Sequence, residues 1–117
     1  MFDHDKFLRM QGNELTRIER LKAFIDRNPS DGFSRHALAM EYIKLGDDEA
    51  ARLELQTLLA ADPDYVGSYY HLGKLLERSG DLLAAADTYR RGIQAAERSG
   101  DRHAAGELRA ALLNCED

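Results

Sequence analysis

The chain has 117 residues, 44% of them hydrophobic and 32% charged, a balance that suits one helical domain burying about two-thirds of its unfolded surface and excludes a disordered chain. Six Lys/Arg face six Asp/Glu in residues 1–34, three face seven in 35–66 and seven face eight in 67–117. The overall charge of −5 therefore sits mostly in the middle, and no basic stripe exists to displace counterions from a phosphate backbone. Nucleic acid is not expected as a partner.

Residues 1–12 show no helical period and end in Gln11-Gly12; they read as a flexible N-terminal arm. Asn13 opens a first helix as its N-cap, with Glu14 in the first turn. Leu15, Ile18, Leu21 and Ile25 form its apolar stripe. Pro29 ends this segment, and a second helix over residues 32–45 buries Leu38, Ala39 and Tyr42 before Gly46 stops it in a left-handed cap. Asp47 caps a third helix, favoured by Asp48 and Glu49, whose apolar set is Leu53, Leu55, Leu58 and Leu59. Asp64 caps a fourth, over residues 65–79, and Gly80 ends it. Asp81 starts a fifth, over residues 82–98, where Ala84, Ala85 and Ala86 allow close packing. After Ser99-Gly100-Asp101 a last helix, roughly residues 103–113, covers the final hydrophobic face. The connections are short, so successive helices are antiparallel neighbours.

The chain also repeats itself. At an offset of 34, Pro29 falls on Pro63, Leu38 on Leu72, Gly46 on Gly80, Asp47 on Asp81 and Ala51 on Ala85. Small residues at Ala39, Gly73, Ala51 and Ala85 mark where the two helices of a hairpin approach closely. One copy supplies Arg35, Leu38, Ala39, Tyr42, Ala51, Leu55 and Pro63; the next supplies Tyr69, Leu72, Gly73, Leu76, Ala85 and Tyr89. On these residues the chain resembles the tetratricopeptide repeat family, in its small bacterial form. The resemblance implies an all-α fold: a right-handed superhelical stack of antiparallel helix pairs, about six helices in all. Within a single domain spanning 13–117, it assigns 13–28 to a half repeat, 32–65 and 66–99 to two full repeats, and 101–115 to a capping helix. The second repeat departs from the pattern at Glu97, which stands where a closing Pro belongs.

Enzyme signatures are missing: there is no GxSxG, P-loop, HExxH or GxGxxG. Catalysis is not expected, nor any cofactor or metal. His4 and His103 lie near the ends, while His36 and His71 read as surface or groove residues of consecutive repeats. Glu41 and Glu77 read as solvated or groove residues. Cys115 is the only cysteine, so an internal disulfide is impossible. No apolar run is long enough to span a membrane, and the N-terminus does not read as a secretory signal. A reduced cytoplasmic setting is the expectation.

In the resembled family the first helix of each pair lines a concave surface. The side chains there not used for packing are the candidate contacts: Phe33, His36, Met40 and Ile43, with Tyr70, Lys74 and Arg78 in the next repeat. Apolar anchors edged by Lys74 and Arg78 suit an extended or helical peptide. The clamp with which some family members hold chaperone C-terminal carboxylates is incomplete, since His36 and Met40 stand where it wants Lys and Asn. The expected function is a non-enzymatic adaptor for a protein or peptide. The alternative is a self-associating scaffold, a homodimer whose second subunit covers the same face.

Overall fold

Three Gly-Asp pairs punctuate the chain in the same way. Gly46, Gly80 and Gly100 have φ of 85°, 86° and 72°, a left-handed conformation that costs glycine nothing. At each, the glycine N–H donates to a carbonyl three residues back and the following Asp N–H to one five back, as from Asp47 to Tyr42 at 2.9 Å, Asp81 to Leu76 at 3.0 Å and Asp101 to Ala96 at 2.9 Å. The same aspartates then cap the next helix, their Oδ1 atoms accepting from the N–H of Ala50, Ala84 and Ala104 at 3.1, 3.1 and 3.0 Å. A single dipeptide thus ends one helix and starts another.

The computed structural model describes residues 14–116, with side chains from residue 16 onward. The expected arm over 1–12, the Asn13 cap and the Leu15 side chain lie outside the described residues. Among the described residues there are six helices and no strand: α1 Glu14–Arg27, α2 Gly32–Leu45, α3 Asp48–Ala61, α4 Gly67–Arg78, α5 Leu82–Ser99 and α6 Arg102–Glu116. The fold is all-α, as the repeat pattern requires. The chain divides into two compact units, Met1–Leu58 and Leu59–Asp117.

In the first unit α1 packs on α2. Ile18 and Ile25 meet Leu38 and Leu45, with Leu21 and Tyr42 against them. Glu41, read from sequence as a solvated or groove residue, is only 6% exposed. It is reached by Arg17 from α1 at 3.2 Å and by Lys44 at 3.4 Å. Arg17, which replaces the small residue of the repeat pattern, thus uses its length to neutralise a buried carboxylate. Arg35 joins α2 to α3 through Glu54 at 2.9 Å. On α3 the buried face is Ala51, Leu55, Leu58 and Leu59, whereas Leu53 is 51% exposed. Two residues from Leu55, it lies roughly 200° around the helix and cannot share that face.

In the second unit α4 and α5 fit by a reciprocal exchange of glycine and tyrosine. A Cβ on Gly73 would fall 2.1 Å from the Tyr89 ring, and one on Gly92 would fall 2.6 Å from Tyr69 Cβ. Each helix therefore offers a glycine to the other's aromatic ring. The Tyr69 hydroxyl donates to the Pro63 carbonyl at 2.6 Å, and the Tyr89 hydroxyl donates to the Glu77 carboxylate. α4 begins at Gly67, two residues later than the expected start, with Val66 at its N-cap position and no side-chain cap. Asp64 is engaged elsewhere, paired with Arg98 at 2.7 Å. α6 packs along α5 and also touches α4, burying Ala105, Leu108 and Ala111.

Candidate protein-binding site

Because α6 follows α5 and reaches back to α4, a first-of-pair helix and the last helix run beside each other with two clefts between them. One, about 340 Å³, is lined by Val66, Tyr70, His71, Ala104, Glu107 and Leu108, with Gly67 at its edge. The other, about 240 Å³, is lined by Tyr70, Lys74, Glu107, Ala110, Ala111 and Asn114. Tyr70 and Glu107 line both, so they form the saddle between them.

Helical spacing explains the α4 wall. Tyr70 and Lys74 are one turn apart and share a face, while Tyr69, Leu72, Gly73 and Leu76 turn inward to the core. Lys74 Nζ lies 5.5 Å from the Tyr70 ring centroid and 3.5 Å from Glu77 Oε2. Glu77 also accepts the Tyr89 hydroxyl, so a network of Lys74, Glu77 and Tyr89 ties the cleft wall to the α4–α5 core. Burial in that network pushes the Tyr89 phenol well above its usual range, and the hydrogen bond to Glu77 adds to it. His71 stands edge-on to Tyr70, ring centroids 5.7 Å apart. Burial holds its imidazole below the usual range, opposed by the charge of Glu107. Across the cleft His103 Nε2 lies 3.4 Å from Glu107 Oε1.

The seven residues expected to make contacts fall on two helices. Phe33, His36, Met40 and Ile43 follow one another at three- and four-residue steps on α2, in the first unit. Phe33 is 74% exposed, and the other three are half-buried. Tyr70, Lys74 and Arg78 lie on α4, in the second. Tyr70, 37% exposed, and Lys74 come together in the clefts, and Arg78 is exposed in the last turn of α4. Sequence reasoning treated α6 only as a cap and so left out Ala104, Glu107, Leu108 and Asn114, while His71, expected as a surface or groove residue, lines the larger cleft. The available signal was the apolar spacing of Ala104, Leu108 and Ala111 with Glu107 beside it. Among the described residues no cluster of His, Cys, Asp or Glu could hold a metal ion, and no helix is long and apolar enough to cross a membrane.

A tetratricopeptide repeat model matches residues 66–99, and a second repeat model of the same kind matches 40–80. A tetratricopeptide repeat domain protein from Salinibacter ruber, known from a crystal structure, is 44% identical with a TM-score of 0.72, over 74% of this chain and 97% of that one. The chain belongs to the tetratricopeptide repeat family. A protein of Bordetella parapertussis solved in solution is similar at 29% identity and a TM-score of 0.71, over 85% of this chain and 86% of that one. MamA shares the fold alone, at 22% identity and a TM-score of 0.66, over 94% and 72% of the two chains. The comparison with curated proteins finds no match. Tetratricopeptide repeats are in general modules for protein–protein interaction, and the repeat matches support that general role for this chain.

Proposed function

We propose that the chain is a non-enzymatic adaptor that holds a protein segment in the α4–α6 clefts of its second unit. The observation that carries this reading is the pair of clefts sharing Tyr70 and Glu107. The larger combines a mostly apolar lining with an aromatic ring and a few polar groups, and the smaller adds Lys74 and Asn114, a composition that suits a peptide-recognition groove. The α2 row of Phe33, His36, Met40 and Ile43 is a second contact surface within the first unit. A pull-down from lysate of the source cell, run with wild type and with a folded Tyr70→Ala/Lys74→Glu variant, tests the seat. Loss of a specific retained protein in the variant supports it, and equal retention moves the site away from the clefts.

Self-association is the second reading. It is favoured by Leu83, 87% exposed, together with exposed Leu82 and Leu113 in the same unit, an apolar load that a second copy could cover. Light scattering across a dilution series separates the two: a mass that stays monomeric at micromolar concentration removes the scaffold reading.

A further inference from the structure

The chemistry of the larger cleft is more particular than its shape. Its walls are Val66, Gly67, Tyr70, Ala104 and Leu108, with His71 half-buried among them. Among the described residues lining it, Glu107 is the one acidic side chain, and no Lys or Arg is present. Glu107 has His103 as its neighbour one turn away on the same helix, Nε2 3.4 Å from Oε1. The nearest cation on the α4 wall, Lys74, is already engaged with Glu77 at 3.5 Å and with the Tyr70 ring at 5.5 Å. Lys74 lines the smaller cleft and not the larger one.

We infer that the larger cleft takes a lysine or arginine side chain of the partner, its alkyl stem on Val66, Ala104 and Leu108 and its charged head on Glu107. This rests on the groove reading above and adds the sign of the ligand. Long basic side chains suit such a place because the stem is apolar while the head seeks a carboxylate. An acidic segment, by contrast, would bring its carboxylate against Glu107 with no cation in the larger cleft to meet it.

The test uses the full chain immobilised and four pools of blocked nonapeptides, random at eight positions with a central Arg, Lys, Glu or Leu. Wild type is expected to retain the Arg and Lys pools over the Glu and Leu pools. Glu107→Gln, at an exposed position, should cut that retention about tenfold, the loss of one charge-assisted contact. Glu107→Lys should turn the preference towards the Glu pool. Thermal melts confirm that each variant is folded. If Arg and Leu pools are retained alike, and Glu107→Gln changes nothing while Tyr70→Ala removes binding, the inference is overturned and the groove reading stands. If no pool is retained, or retention ignores Tyr70→Ala, the groove reading fails and the inference with it.

Discussion

Gly73 shows how little room the second unit leaves at single positions. The Tyr89 ring occupies the space where a Cβ would sit, at 2.1 Å, and Tyr89 itself is fully buried and held at its hydroxyl by Glu77. The ring cannot retreat without breaking that bond. Gly73→Ala is therefore expected to cost about 1–3 kcal/mol, the usual penalty for overpacking, read as a lower urea midpoint. A second prediction concerns His71. Burial depresses its pKa in the folded chain, so below the usual value of about 6.5 the unfolded chain binds the proton first. The stability contributed by neutral His71 is present above that value and is lost as pH falls from there towards the depressed one. The drop in melting temperature between about pH 7.5 and about pH 5 should thus be smaller for His71→Gln than for wild type. An equal drop in both would mean the imidazole titrates alike folded and unfolded.

Three of the helix junctions among the described residues use one recurring device, and that is why the ends there were easy to read. Gly46 and Gly80 were legible as left-handed stops, and Asp47 and Asp81 as caps, because the dipeptide needs no tertiary information. The start of α4 was not legible, because Asp64 is drawn away by Arg98, 34 residues later. Leu53 was misplaced for a related reason: apolar character alone does not say which way a residue faces when its neighbours Leu55 and Leu58 compete for the same side. Two glycines separate the conformational role from mere presence in a helix. Gly80, at φ 86°, should lose about 1–2 kcal/mol on replacement by Ala, which resists the left-handed region. Gly106, inside α6 with open space where a Cβ would go, should gain about 0.5–1 kcal/mol from the same change. Denaturant unfolding of both variants checks the opposite signs.

At the scale of the molecule, the all-α architecture and the repeat family followed from a 34-residue self-match and a handful of small residues. The candidate site was only half legible. Tyr70 and Lys74 could be placed on the α4 face from helical spacing. Glu107 and Leu108 could not be joined to them, because that needs α6 to fold back beside α4, a long-range contact with no local signature. Glu41 was legible only as a solvated or groove residue, because its burial needs α1 and α2 brought together with Arg17 reaching it across them. The proposal on which the rest depends is a protein segment lying in the α4–α6 clefts. Gly67 offers a direct probe, since it borders the larger cleft with nothing within 4 Å of its would-be Cβ. A photo-crosslinking side chain installed there, and in a control at exposed Arg91 on α5, can be irradiated in lysate of the source cell. A discrete protein adduct is expected from position 67 and none from position 91. Adducts from position 91 alone, or equal adducts from both, would contradict the proposal.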